Sequence, residues 1–81
     1  MGGHGVVRSK RIKTLLQALE VSSGKFEFSQ SKHSKIRFRD TGETYPIPLS
    51  HKWVDSFIVA KLAEKLEKNE VCCKDWFIKE I

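Results

Sequence analysis

A histidine and three cations stand at alternate positions of one short segment, namely His33, Lys35, Arg37 and Arg39. Ile36 and Phe38 lie between them, and the side chains of a β-strand alternate between its two faces. The pattern predicts a half-buried strand with the two apolar residues in the core and the polar residues on a solvated face. Histidine exchanges a proton near neutral pH, and cations stabilise the charge that develops on a reacting phosphate.

This combination of side chains suits the cleavage of RNA, because RNA carries its own nucleophile in the 2′-hydroxyl. The reaction then needs a proton donor or acceptor and cations at the phosphate, and a positioned acid or base contributes roughly 10²- to 10⁴-fold. We predict His33 as the catalytic residue; the alternative is that it is a solvated turn residue or only binds phosphate. The predicted RNA-binding residues are Ser31, Lys32, Lys35, Arg37 and Arg39.

Positive charge is concentrated in the first half of the chain. Residues 1–39 contain nine Lys and Arg against two acids, a net charge of +7, whereas residues 40–81 contain six Lys against eight acids, a net charge of −2. Such segregation indicates a polyanionic partner, of which nucleic acid is the usual example. The alternative interpretation is that the charge only keeps the protein in solution.

The totals are typical of one small globular domain. The chain has 81 residues, of which 40% are hydrophobic and 31% are charged. No apolar run approaches the ~20 residues that cross a bilayer, and residues 1–5 lack the apolar region of a secretory signal. We therefore expect a cytoplasmic protein without a membrane segment, with a flexible Gly-rich segment over residues 1–8 and a single domain over residues 9–81.

Other kinds of site find little support in the residue spacing. His4, His33 and His51 are far apart, without a Cys or carboxylate at ligand spacing, so we expect neither a metal nor a cofactor. Nucleophile elbows, phosphate-binding loops and dinucleotide fingerprints are also missing from the sequence. Cys72 and Cys73 are adjacent and lack CxxC spacing. We expect one buried and one exposed thiol.

The hydrophobic pattern predicts the elements that position His33. Apolar residues at helical spacing predict a helix over residues 10–20, with Ser9 as its N-cap and Gly24 ending it. Short alternations predict strands over residues 25–29, 34–39 and 45–47. Pro46 cannot donate to a ladder, so the third strand should lie at an edge. A second helix should cover residues 53–68 and a short one residues 75–78.

The predicted order is therefore α-β-β-β-α with a short C-terminal helix. This order is typical of a two-layer α+β domain, with a three-stranded antiparallel sheet and two helices on one of its faces. The other face of the sheet stays in contact with water. We expect Trp76 or Phe77 to anchor the last helix to the core.

Residues 10–77 resemble the HicA family, also called YcfA-like, of toxin–antitoxin modules. The resemblance lies in the leucine-rich first helix, in His33 opening a strand with the aromatic Phe38 behind it, in Pro48 shortly before His51, and in a second helix with an aromatic tail. In the family, a glycine and then a Ser or Thr usually precede the catalytic histidine. In this chain Ser31 and Lys32 stand at those two positions.

The resemblance implies a fold, an activity and two partners. Members of the family are small basic mRNA interferases with the double-stranded-RNA-binding α-β-β-β-α fold, and a HicB antitoxin neutralises them. For this chain the resemblance implies an endoribonuclease with His33 as its catalytic residue. Its partners would be mRNA and a HicB-like antitoxin protein.

Two other functions are compatible with the same residues. A non-catalytic RNA-binding module of the same fold would hold RNA through phosphate and 2′-hydroxyl contacts, mostly by shape. A protein-interaction domain would use the acidic second helix and the tail, with Trp53 or Trp76 exposed. We expect instead that both tryptophans are buried in the core.

Overall fold

The computed structural model describes residues 5–30 and 33–81. Within these ranges the chain forms an α+β domain with three helices, a three-stranded antiparallel sheet and a separate two-stranded ribbon, which confirms the predicted class. The elements are β1 (Val6–Arg8), α1 (Ser9–Ser23), β2 (Phe26–Ser29), β3 (Lys35–Phe38), β4 (Thr44–Pro46), β5 (Trp53–Asp55), α2 (Ser56–Lys68) and α3 (Lys74–Glu80). No helix in the described ranges is both long and apolar enough to cross a membrane.

Helix α1 buries the predicted apolar stripe and runs three residues further than predicted. Ile12, Leu16 and Leu19 are buried along one side of it. Gly24 ends the helix with a φ of 64°, and its N–H donates to the carbonyl of Glu20 at 3.1 Å. A left-handed residue at this position favours glycine because a Cβ would strain the backbone there.

The sheet has the order β2-β3-β4, with β3 in the centre and antiparallel neighbours on both sides. Ile36 and Phe38 are fully buried whereas Lys35 and Arg37 are exposed, so the predicted alternation along this strand is confirmed. Pro46 lies in β4 at the edge of the sheet, also as predicted. The missing N–H of proline leaves the pairing with β3 intact because it faces away from the ladder.

The N-terminal residues and the start of α2 differ from the prediction. Val6–Arg8 were expected in a flexible segment and residue 53 at the start of a helix, but Val6–Arg8 and Trp53–Asp55 pair as antiparallel strands. Val54 is 1% exposed, and Val7 opposite it packs against the core. Packing of these two side chains against the core stabilises the pairing of the strands. The prediction missed both strands because three residues are too few to show the period of a strand.

The expected capping role of Ser9 is also wrong. Arg8 precedes the helix without a side-chain cap, and Ser9 is the first helical residue. The Ser9 hydroxyl instead donates to the carbonyl of Lys52 at 3.2 Å, and the Ser9 N–H donates to the same oxygen at 3.0 Å. The start of α1 is therefore held by the residue before β5.

The buried hydrophobic side chains form one cluster to which α1, β2, β3, α2 and α3 all contribute. Phe26 and Phe38 lie 6.1 Å apart, centroid to centroid, with their ring planes tilted by 59°. Phe77 is fully buried and anchors α3, as one of the two predicted alternatives. The expectation that both tryptophans are buried is wrong, since Trp53 is 47% exposed and Trp76 is 41% exposed. A large part of each tryptophan side chain is therefore in contact with solvent.

Candidate nucleic-acid interface

His33 lies on an open groove of about 520 Å³ beside the edge of the sheet. The groove is formed by a side chain of α1, by the residues that lead into β3 and by the segment that follows β4. We call it the histidine groove, and it is lined by Lys13, Gln30, His33, Ser34, Pro46, Ile47, Pro48, Leu49 and Ser50. The imidazole is exposed to solvent, so a ligand in the groove can reach it directly.

Backbone pairing and two buried side chains shape the wall opposite His33. The N–H of Ile47 donates to the carbonyl of Ser34 at 2.9 Å, and the N–H of Leu49 donates to the carbonyl of Ile47 at 2.8 Å. Ile47 is 2% exposed and Leu49 is 7% exposed. These residues are fixed by burial in the core, and Pro48 between them restricts the backbone further. The groove wall is therefore an ordered part of the fold.

Lys13 is a candidate functional residue that the sequence analysis missed. The sequence analysis gave it no functional role, yet it is half-buried and lines the histidine groove. Its neighbour Ile12 is fully buried, which fixes the orientation of this turn of α1. The local sequence carries no signal for this placement, because the partners of Lys13 in the groove lie more than fifteen residues away in the chain.

The predicted strand cations are exposed, but none of the three lines the groove with His33. Lys35 and Arg37 are exposed on β3, and Arg39 follows in the turn after the strand. Arg37 and Arg39 line a second, smaller depression of about 190 Å³ together with Glu27. His33 itself lies in a bend before β3, which begins at Lys35, so the histidine is outside the strand. The cations thus follow His33 along the chain but lie outside its groove.

Glu27 reduces the positive charge of this face. It lies directly opposite Arg37 in the β2–β3 pairing, and its Oε2 lies 3.6 Å from Nη1 of Arg39. Both side chains of the Glu27–Arg39 pair are 55% exposed, so water screens the attraction and the pair is weak. An incoming phosphate can compete with Glu27 for both guanidinium groups.

Two of the predicted RNA-binding residues, Ser31 and Lys32, lie outside the described residues. They immediately precede His33, which lines the groove. His51, the second histidine of the resemblance to HicA, is exposed in the turn just beyond Ser50 of the groove wall. His51 is therefore near the groove in the chain and provides a matched histidine for comparison with His33.

Metal-ligating side chains and thiols are the other groups that could carry chemistry. In the part of the chain that the structure describes, no three His, Cys, Asp or Glu side chains come together as a metal site. Cys72 is half-buried and Cys73 is exposed, and both are free thiols. Burial raises the pKa of the Cys72 thiol to about 11. A thiol with this pKa is protonated at neutral pH and is a poor nucleophile.

Comparisons with known proteins were made at three levels. No model of a protein family matches the chain. No curated protein sequence matches it. No solved structure matches it either.

Proposed function

We propose that this protein acts on RNA as a metal-independent endoribonuclease of the HicA type, with His33 as its general acid or base. The observation that supports this most is the position of His33. His33 is exposed and lines an open groove together with Lys13, and further cations follow along β3. An imidazole and a lysine that line one groove are groups that RNA cleavage can use.

The proposed reaction uses groups that RNA and the groove supply together. His33 takes the proton of a 2′-hydroxyl, whose oxygen attacks the adjacent phosphorus, and the bond from phosphorus to the 5′-oxygen breaks. The products are a 2′,3′-cyclic phosphate and a 5′-hydroxyl that receives a proton from the solvent. Lys13 offsets the additional negative charge on the phosphate oxygens in the transition state. No redox step or external nucleophile is required.

The cations of β3 are proposed to hold the RNA backbone beyond the reacting phosphate. Lys35 and Arg37 are exposed, and Glu27 and Arg39 lie beside them on the same side of the sheet. We also propose a two-layer arrangement, in which α1 and α2 cover one face of the sheet and the other face is exposed to solvent. The fully buried Phe26, Ile36 and Phe38 on one side of the strands support that arrangement.

The partners follow from the same proposal. The substrate would be mRNA, the compartment would be the cytoplasm, and a HicB-like antitoxin protein would neutralise the activity. Ser31 and Lys32 are proposed to contact RNA next to His33. The support for the antitoxin is the resemblance in the sequence alone, and a neighbouring reading frame for such a protein is its simplest test.

The deciding experiment is an RNA cleavage assay in EDTA with a fluorescently labelled mRNA. We expect wild-type protein to cleave, and His33→Ala to lose roughly 10²- to 10⁴-fold in rate, the usual contribution of one general acid or base. His51→Ala is the matched control and should cleave like the wild type, because His51 is also exposed but lies beyond the groove wall. Lys13→Gln should reduce the rate and retain binding.

Two outcomes would count against the nuclease. Equal cleavage by wild type and His33→Ala would assign the activity elsewhere, or to a contaminant. No cleavage by either protein, with a salt-sensitive gel shift in both, would instead favour a non-catalytic RNA-binding module, which the exposed Lys35 and Arg37 also fit. Binding that depends on phosphate contacts weakens steeply as salt rises.

A further inference from the structure

Two exposed aromatic side chains that are close together in the chain each lie beside a cation. Trp53 of β5 is 47% exposed and Phe57 of α2 is 67% exposed. The guanidinium carbon of Arg8 lies 5.2 Å from the Trp53 ring centroid, and Nζ of Lys61 lies 5.9 Å from the Phe57 ring centroid. We call these four residues the aromatic surface.

The backbone holds the aromatic surface in place. Arg8 and Trp53 are directly opposite each other in the β1–β5 pairing, on the face away from the buried Val54. The N–H of Phe57 donates to Oδ1 of Asp55 at 2.8 Å, which fixes the first turn of α2 to the end of β5. Rings held in this way lose little conformational freedom when a ligand stacks on them.

The aromatic surface begins a few residues after the histidine groove in the chain. Ser50 lines the groove, and Trp53 comes three residues later, at most about 10 Å away along the chain. The carbonyl of Lys52 accepts two hydrogen bonds from Ser9, which lies one helical turn before Lys13 of the groove. Roughly three stacked nucleotides, at about 3.4 Å each, span that distance.

We propose that single-stranded RNA with a phosphate in the histidine groove extends over the aromatic surface and stacks one base on Trp53 and another on Phe57. The inference rests on the proposed function and specifies its substrate class, an unpaired strand. A base must leave its own helix to stack on a protein ring. Aromatic rings interspersed with cations are the arrangement that binds single strands, because bases stack and phosphates are attracted.

A protein partner fits this surface less well. Lysine is depleted at the centre of protein–protein interfaces, whereas here Nζ of Lys61 lies 5.9 Å from the Phe57 ring centroid. Exposed Lys52 adds positive charge between the groove and Trp53. Three cations here outnumber the exposed carboxylate of Asp55. This balance favours a polyanion with flat apolar groups, which describes RNA.

The first test is tryptophan fluorescence, since the chain has two tryptophans on different elements. Trp76→Phe leaves Trp53 as the reporter on the aromatic surface, and Trp53→Phe leaves Trp76 on α3 as the matched control. The probe is a short 2′-O-methyl oligoadenylate, which has no free 2′-hydroxyl and is not cleaved. We expect the probe to quench the fluorescence of Trp53 by stacking and to leave that of Trp76 unchanged.

The second test is affinity for the same probe in the full-length protein. Trp53→Leu keeps an apolar side chain on β5 but removes the aromatic face, and should weaken binding about 5- to 150-fold, the range for loss of one stacked base. Trp53→Phe keeps a ring and should weaken binding less. Phe57→Leu should act in the same direction. Circular dichroism of each variant establishes that it is folded.

The other results overturn the inference. Binding of the probe without a change in Trp53 fluorescence, and with equal affinity for Trp53→Leu, would reject stacking and leave the proposed nuclease standing. Failure of the wild type to bind the probe or cleave RNA would reject both proposals together. A Trp53 signal that changes with protein concentration and not with the probe would assign the surface to contact between copies of the chain.

Discussion

Nζ of Lys65 donates a hydrogen bond to Oε2 of Glu43 at 2.8 Å and so connects α2 to the turn between β3 and β4. The same ammonium lies 5.4 Å from the centroid of the Tyr45 ring. One lysine of a helix therefore contacts both the turn and the edge strand that leads to the histidine groove. Lys65 and Glu43 are 22 residues apart, so the contact exists only in the folded chain.

The Glu43–Lys65 pair predicts a specific pH dependence of stability. The hydrogen bond from Lys65 holds the pKa of Glu43 below its ordinary value of 4.5, and the same bond raises the pKa of Lys65 above 10.5. A carboxyl whose folded pKa is lowered stabilises the fold above its unfolded pKa and loses this effect as the pH falls through the folded value. Because the pKa of Lys65 is raised, the pair stabilises the fold fully below pH 10.5, the ordinary pKa of lysine. This stabilisation is lost as the pH rises through the folded pKa.

We therefore expect Glu43→Gln to lower the free energy of unfolding at neutral pH, and the difference from wild type to shrink as the pH falls below 4.5. Urea unfolding across this pH range measures the difference. Asp40→Asn, in the exposed part of the same turn, is the matched control and should show little difference. A gap between Glu43→Gln and wild type that stays constant on acidification would exclude the pair as its cause.

The anchoring of α3 predicts unequal effects for two adjacent aromatic residues. Phe77 is fully buried, whereas Trp76 is 41% exposed. Phe77→Ala should lower the free energy of unfolding by about 3–5 kcal/mol, because it removes a buried ring and leaves a cavity. Trp76→Ala should cost about 1 kcal/mol. Denaturant unfolding followed by circular dichroism compares them, and equal losses would contradict the observed burial.

The pairing of β1 with β5 predicts that the N-terminal residues contribute to stability. Val7 packs against the core, and Val6 next to it is 55% exposed. Val7→Asp should cost about 2–3 kcal/mol by burying a carboxyl without a partner. Val6→Asp should change stability by about 0.5 kcal/mol or less. Thermal unfolding distinguishes them, and two neutral substitutions would place Val6–Arg8 outside the folded domain.

The two cysteines should react at different rates with a thiol reagent. Burial raises the pKa of Cys72 to about 11, so about one molecule in a thousand carries its thiolate at pH 8. Cys73 is exposed. We expect one fast-reacting thiol in the native protein, lost in Cys73→Ser and retained in Cys72→Ser. Denatured protein should show two equivalent thiols, and equal rates in the native state would refute the difference in burial.

The elements that could be predicted are those with a strong local period. Helix α1 and helix α2 each carry an apolar stripe over several turns, and Ile36 and Phe38 alternate with cations along β3. Gly24 and Pro46 could also be interpreted locally, since glycine permits a positive φ and proline cannot donate to a ladder. Periodicity indicates which side chains of an element are buried, so these features followed from the sequence.

The features that were missed depend on contacts between distant residues. Val6–Arg8 becomes a strand because Trp53–Asp55 lies beside it, and three residues are too few to show a period. Residues 53 and 54 also fit the spacing of a helical stripe, which explains the wrong start of α2. Both tryptophans were expected in the core, but the core is filled by smaller side chains and phenylalanines.

Part of the candidate site could likewise be predicted from the sequence, and part of it could not. The sequence by itself determined that a histidine and three cations follow one another around a strand, because their order and alternation are local. The tertiary structure decided that His33 shares its groove with Lys13 of α1, while Arg37 and Arg39 lie beside Glu27 in a separate depression. Packing of α1 against the sheet brings Lys13 to the groove of His33. The spacing of the two residues along the chain does not predict that they line the same groove.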